Sequence, residues 1–249
     1  MLSRKVLAKT IDCALLRPDA TREDILKLCE DAKRYHFAAV FVFPYWVRLA
    51  ARELRDSDVK VCAPVGYPYG ITTMATKIIE AKGVIAGGAT EIEVMINLGA
   101  LKSKRYDTVR RDLEEVMQIV HLASLTQDGR DILTKVVLET SYLTEEEKRI
   151  AARIAREVGA DFIKTCTEFG PGRATLADIR LIRSVVGREI GIKVTGGVDT
   201  LQAALRFLDA GANRIGTSAA VEIIESLPSE EDEPEEDRES EKEGVEPGE

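Results

Sequence analysis

Two lysines each precede the turn that closes a short apolar run: Lys164 in DFIKT (161–165) and Lys193 in GIKVTGG (191–197). An amine attacks a carbonyl only when uncharged, and two ammonium groups held close disfavour each other's charged form. A lysine pair at one mouth therefore supplies a neutral amine near pH 7, the requirement for Schiff-base chemistry. Acidic side chains accompany the lysines at alternating positions. Side chains alternate across a strand, so in EIEVMIN (91–97) Glu91, Glu93, Met95 and Asn97 share one face, and Ile92, Val94 and Ile96 share the other. The same alternation groups Lys135, Val137 and Glu139 in TKVVLET (134–140), Phe162 with Lys164, and Lys193 with Thr195. The apolar faces must meet helices, so six charges, three of each sign, point inward. Isolated buried charges cost several kcal/mol each, so this cluster is either a satisfied internal salt-bridge network or a site maintained by function.

Glycine turns add an anion signal. FGPG (169–172), TGGV (195–198) and GTS (216–218) each stand between an apolar run and a helical pattern. Backbone N–H groups at such turns and at helix N-termini cradle phosphate, and barrels bind phosphate after strands 7 and 8. A neutral amine beside a phosphate site points to Schiff-base chemistry on a phosphorylated sugar or aldehyde.

The elements that must position these residues repeat eight times. Strand-like runs fall at 10–15, 38–43, 60–65, 91–96, 134–139, 161–165, 191–195 and 214–217. Helical patterns follow at 22–35, 45–55, 72–86, 106–125, 145–158, 176–186, 201–210 and 219–225, with Thr21 and Thr144 as N-caps. Residues 1–227 divided among eight units give about 28 residues each, the size of one repeat of a (βα)8 TIM barrel, which is the predicted α/β fold. An open doubly wound sheet is the alternative, but it requires apolar residues on both strand faces.

Residues 228–249 form a separate acidic segment, predicted to be disordered, with 12 acidic and 2 basic side chains. Removing its charge of -10 from the total of -8 leaves the barrel at +2. A nearly neutral body with no basic cluster among aromatics argues against nucleic acid and for a small-molecule partner. No apolar stretch reaches the ~18–20 residues needed to cross a bilayer and no signal-peptide pattern opens the chain, so a soluble, cytoplasmic protein is expected. The four cysteines form no CxxC pair and read as reduced core residues, and with two histidines a histidine-rich metal centre is not expected. Five Asn plus Gln against 31% charged residues fit selection at high temperature.

The segments DFIKTCTEFGPGRAT, GIKVTGGV, NRIGTS, GATEIEVMINLGALKS, VGYPYG, KVVLET and TIDCALLRPDATREDILKLCEDA, spread from about Lys9 to Ile224, resemble the deoxyribose-phosphate aldolase family. The resemblance implies a class I aldolase that reversibly cleaves 2-deoxyribose 5-phosphate to acetaldehyde and glyceraldehyde 3-phosphate, with no metal or organic cofactor, in a homodimer or homotetramer. By position it makes Lys164 the Schiff-base lysine, Lys193 its activator, and Glu93 the counterpart of the family's usual aspartate. It assigns Gly172, Gly196, Gly197, Gly216 and Ser218 to phosphate-binding turns, and Asp12, Lys135 and Glu139 to polar barrel positions.

The chain departs from the family at several of these places. Glu93 is a methylene longer than aspartate, and Glu168 stands where glycine is typical, with Arg173 nearby as its expected neutraliser. Ala219 replaces a second serine, Cys13-Ala14 replaces a His-Thr pair, and the last tyrosine is Tyr142, although some members use one near the C-terminus. A related lysine-dependent aldolase with another phosphorylated substrate, or a non-catalytic phospho-ligand-binding relative, is the alternative. Tyr45 and Trp46 are read as packing or subunit contacts, His121 as a surface or core residue, Lys77 as a solvated helix lysine, and Glu91 as a partner of a barrel lysine.

Overall fold

The computed structural model describes residues 3–126 and 131–228. The expected disorder of 228–249 lies, from 229 onward, outside the described residues. Eight strands run parallel: β1 (Ile11–Leu15), β2 (Ala39–Val42), β3 (Lys60–Val65), β4 (Glu91–Met95), β5 (Leu133–Val137), β6 (Phe162–Lys164), β7 (Gly191–Thr195) and β8 (Arg214–Thr217). Each pairs with the next, and β8 pairs back to β1, with Asp12 opposite Gly216. That closure rules out the open sheet and establishes the barrel.

The helices are α1 (Arg4–Ala8), α2 (Arg22–Tyr35), α3 (Val47–Glu53), α4 (Met74–Ala86), α5 (Leu98–Lys102), α6 (Tyr106–Thr126), α7 (Glu145–Glu157), α8 (Leu176–Val186), α9 (Leu201–Asp209) and α10 (Ala220–Glu225). Local signals start them. Thr21 and Thr144 close capping boxes with Asp24 and Glu147, as expected, and Thr175 does the same with Asp178. The helix expected from 45 begins instead with a 3-10 turn, Pro44–Trp46, because proline tolerates a first turn but offers no N–H to continue one. Asn97, expected on the inner face of β4, leaves the strand, and its side chain accepts from Ala100 N at 2.9 Å to cap α5.

Two apolar compartments result. The larger lies between sheet and helices, where Ile92, Val94 and Ile96 are fully buried, each contributing roughly 1.5–3 kcal/mol. The smaller lies inside the barrel and holds Ala14, Ala39, Phe41 and Cys62. All four cysteines are free and buried. Lys77 is not the solvated helix lysine expected: it is fully buried between α4 and α6, donating to Met95 O at 2.7 Å and paired with Asp112. An eight-stranded barrel leaves its interior just wide enough for side chains, so whatever stands inside must be packed and paired.

Candidate active site

The barrel interior carries a buried ionic network built in two tiers. In the lower tier Lys135 on β5 pairs with Glu91 on β4 and lies 3.3 Å from Asp12 on β1. Arg214 on β8 donates through Nε to Asp12 Oδ1 at 2.8 Å and reaches Glu91 at 3.1 Å. Glu91 is thus the structural partner expected. No local sequence signal marks Arg214 for this network, because it is the meeting of β8 with β1 and β4 inside the barrel that brings it to Asp12 and Glu91. Glu139, expected to converge with the others, stands apart: β5 ends at Val137, and Glu139 turns to a φ of 53°. Its carboxylate instead accepts from Thr167 N at 2.8 Å and Ser141 Oγ at 3.0 Å, tying the loop after β6 to the end of β5.

The upper tier holds the two lysines. Lys164 and Lys193 are opposite each other in the register of β6 and β7, and both side chains are fully buried. One carboxylate joins them: Lys164 Nζ donates to Glu93 Oε2 at 2.6 Å and Lys193 Nζ donates to Glu93 Oε1 at 2.6 Å. The extra methylene of a glutamate fits this bridging span. Lys193 donates also to Asp12 Oδ2 at 2.5 Å, which links the tiers. The Phe41 ring lies 4.4 Å from Lys164 Nζ and 4.9 Å from Lys193 Nζ, a cation–π platform under both amines.

A group that sequence reasoning missed closes this tier. Tyr67, half-buried beyond the end of β3, donates its hydroxyl to Glu93 Oε2 at 2.8 Å and accepts from Lys164 Nζ at 3.1 Å. Nothing in VGYPYG marks the first tyrosine as different from the second, and only the crossing of β3, β4 and β6 brings it to the lysine.

The surroundings separate the two amines electrostatically. Burial pushes Lys164 down, Glu93 opposes this, the charge of Lys193 adds to it, and the net result is below the ordinary lysine value. Burial also works against the ammonium of Lys193, but Asp12 and Glu93 outweigh it and raise that group. For Glu93, burial favours the neutral acid, yet Lys164, Lys193 and Lys135 together hold it ionised far below the usual carboxylate range. One amine is thereby released toward neutrality while its neighbour stays cationic.

Above the lysines the loops at the C-terminal ends of the strands form the mouth. Gly196 and Gly197 follow β7 with φ values of 91° and 90°, a conformation that L side chains rarely adopt, and a Cβ at Gly197 would meet Arg173. Gly172 packs against Ser141, and Ser218 is exposed after β8. Gly216 is a strand residue, not part of a turn: a Cβ there would come within 2.8 Å of Lys193 Cε, so its bareness makes room for the lysine. Thr195 Oγ1, at the end of β7, is buried with no hydrogen-bond partner among the described residues. Glu168 is exposed, and Arg173, expected to neutralise it, pairs with Asp199 at 2.8 Å instead. Phe43, Tyr69, Tyr142 and Phe169 make an aromatic lip, with Tyr69 bonded to Phe169 O at 3.0 Å. A cavity of about 1340 Å³ at the opposite, N-terminal end, lined by Arg48, Arg52, Arg55, Lys60 and His121 among others, lies remote from the lysine pair.

The chain matches a family described as DeoC/LacD family aldolase over residues 7–223. It is 48% identical over 231 residues to the deoxyribose-phosphate aldolase of Thermococcus kodakarensis, covering 92% of this chain and 100% of that one. To the deoxyribose-phosphate aldolase of Halalkalibacterium halodurans it is 49% identical over 230 residues, covering 92% and 99%. Among solved structures, the tetrameric deoxyribose phosphate aldolase from Aeropyrum pernix superposes with a TM-score of 0.81 at 30% identity, over 91% of this chain and 92% of that one.

Proposed function

The chain belongs to the DeoC/LacD family of aldolases, and on that footing we propose that it reversibly cleaves 2-deoxyribose 5-phosphate to acetaldehyde and glyceraldehyde 3-phosphate through a Schiff base on Lys164. The observation that carries this reading is the Glu93 carboxylate, held at 2.6 Å from each of two buried lysines whose acidities are driven apart.

In the synthetic direction Glu93 takes a proton from the Lys164 ammonium, the neutral amine adds to the carbonyl carbon of acetaldehyde, a proton passes from nitrogen to oxygen, and return of the Glu93 proton to the oxygen that leaves as water gives the iminium. The Glu93 carboxylate takes a methyl proton, which converts the iminium to an enamine; the enamine carbon then attacks the aldehyde carbon of the phosphorylated partner, and the proton returns to the new hydroxyl oxygen as the iminium re-forms. Lys193, kept charged by Asp12 and Glu93, holds the carboxylate in place and stabilises negative charge developing nearby. The aromatic lip limits water around the iminium. Gly172, Gly196, Gly197 and Ser218 line the mouth where the phosphate binds, and the hydroxyl of Thr195, without a partner among the described residues, is available to a substrate oxygen. Asp12, Lys135 and Glu139 act as supports: the first two fix the lower tier, the third anchors the loop bearing Gly170 to Gly172. Gly216 serves by leaving space for Lys193.

Borohydride reduction in the presence of acetaldehyde should leave a stable two-carbon adduct on Lys164, read by mass spectrometry; a Lys164→Ala variant that retained full turnover would overturn the assignment. Glu168 favours a second reading, another phosphorylated substrate, because its carboxylate stands beside the proposed phosphate turns. Comparing turnover across phosphorylated sugars decides between them. The reaction is proposed to need no metal or organic cofactor, so dialysis against a chelator leaves the rate unchanged.

Residues 1–227 are proposed as one catalytic barrel and 228–249 as an acidic appendage outside it. No helix among the described residues is long and apolar enough to cross a membrane, which fits a cytoplasmic protein. A homodimer or homotetramer is supported by the tetrameric relative and by the exposed Tyr45 stacked edge-on against Trp46 at 4.7 Å; sedimentation of the full chain tests it.

A further inference from the structure

We propose that Tyr67 is a catalytic residue of this reaction, its hydroxyl carrying protons between Glu93 and the oxygen that leaves the Lys164 adduct as water. The proposal rests on the aldolase reading above and deepens it. Schiff-base formation has a step that an amine and a carboxylate do not complete alone: the carbinol oxygen must receive a proton as its bond to carbon breaks. That oxygen is two bonds from Nζ, so its donor must lie close beside Nζ.

The available donors differ sharply in freedom. Lys193 is pinned between Asp12 at 2.5 Å and Glu93 at 2.6 Å, and these carboxylates hold its proton tightly. The Tyr67 hydroxyl is 3.1 Å from Lys164 Nζ and 2.8 Å from Glu93 Oε2, and among the described residues it is the hydroxyl in contact with both. Its ring is fixed edge-on against Phe41 at 5.8 Å, the same ring that underlies the two amines. Burial, followed by the neighbouring Glu93 charge, pushes the phenol well above its ordinary value, so the group present is the protonated donor.

Glu93 takes a proton from the Lys164 ammonium, and the neutral amine adds to the aldehyde to give, after transfer of a proton from nitrogen to oxygen, a neutral carbinolamine. The Tyr67 O–H bond breaks and its proton goes to the carbinol oxygen. The C–O pair leaves with water while the nitrogen lone pair forms the iminium bond. The carboxylic acid of Glu93 returns its proton to the Tyr67 oxygen. One aldehyde is consumed, one water is released, and the pair of ammonium and carboxylate becomes a pair of iminium and carboxylate. Because Glu93 is protonated when Tyr67 gives up its proton, no phenolate forms beside a second negative charge. Hydrolysis of the imine runs the same transfers in reverse.

The test is the rate at which acetaldehyde labels Lys164, followed by rapid mixing, borohydride quench and mass spectrometry in the full-length chain. Tyr67→Phe keeps the ring and removes the hydroxyl. Its labelling rate and kcat should fall by about 10²-fold or more, in line with the worth of a positioned acid–base group, with the final extent of labelling and KM little changed. Replacing Tyr67 by 3-fluorotyrosine keeps every contact while making the phenol more acidic, and the labelling rate should then rise. This second variant decides the matter if Tyr67→Phe does not fold. Labelling of wild type and Tyr67→Phe at the same rate, or a rate indifferent to fluorination, overturns the role of Tyr67 and leaves the aldolase reading standing. Absence of any adduct on wild-type Lys164 overturns both.

Discussion

At the scale of single residues, the chemistry turns on the inequality of two lysines that the sequence presents as near equals. Both are fully buried, yet Lys193 has two carboxylates, Asp12 and Glu93, whereas among the described residues Lys164 shares the Glu93 carboxylate and otherwise donates to the neutral Tyr67 hydroxyl. Removing the Lys193 charge by Lys193→Met takes away one cause of the lowered Lys164 value and frees Glu93 from its second close ammonium, so the Lys164 amine titrates higher. The pH dependence of adduct formation should shift to higher pH. Labelling at pH 7 should fall about tenfold for each unit of that shift, because the neutral fraction falls by that factor. An unchanged pH midpoint would remove Lys193 as the activator. Glu168 supplies a second prediction. Its φ of 75° costs a non-glycine residue roughly 1–2 kcal/mol, and its carboxylate stands at the mouth proposed above to bind the phosphate. Glu168→Gly should raise the unfolding free energy by up to ~1 kcal/mol after glycine's own entropic cost, and lower KM for the phosphorylated substrate several-fold, measured by denaturant titration and initial rates.

At the scale of elements, the strands do more than carry the lysines, for their register decides which charges share a tier. Glu93 lies opposite Lys135, and Lys164 opposite Lys193, so a one-residue slip of β4 would turn Glu93 toward the helices, take the carboxylate from Lys164 and leave Lys193 with Asp12 alone. The lower tier is correspondingly sensitive. Asp12 is fully buried with Lys193, Lys135 and Arg214 as partners; burial alone would raise its carboxyl, but these three cations pull it far below the usual range. Asp12→Asn should cost about 3–5 kcal/mol, the cost of leaving buried cations short of an anion, and calorimetry would register it as a lowered melting point. The sign of the pH effect follows. Asp12 and Glu93 have folded values below the unfolded ~3.9 and ~4.3, so their stabilisation is complete above that range and is lost as pH falls through the folded values. The wild-type melting point should therefore drop steeply only in acid, more steeply than that of Asp12→Asn.

At the scale of the whole molecule, residues 1–227 carry a net charge close to zero, whereas the sequence of 228–249 is strongly acidic and is proposed above as an appendage outside the catalytic unit. Deleting 228–249 should leave kcat and KM unchanged while shifting the isoelectric point upward from about 5.1, and a loss of turnover would place the segment in the catalytic unit. The scarcity of Asn and Gln, the ion pairs buried in the barrel and the relative from Thermococcus kodakarensis agree with a melting point above the mesophile range of roughly 45–65 °C. The amino-acid order alone determined the eight units, the caps at Thr21 and Thr144, and the inward placement of Glu93, Lys164 and Lys193, since alternation and capping are local rules that neighbours along the chain enforce. It did not disclose that Tyr67 and Arg214 join the network, that Lys77 is buried in an ion pair, that Glu139 and Asn97 leave their strands, or that Arg173 pairs with Asp199. Those outcomes depend on which strands and helices meet across the closed barrel, and on competition for partners among residues up to 202 positions apart, which the chain can resolve only once it has folded.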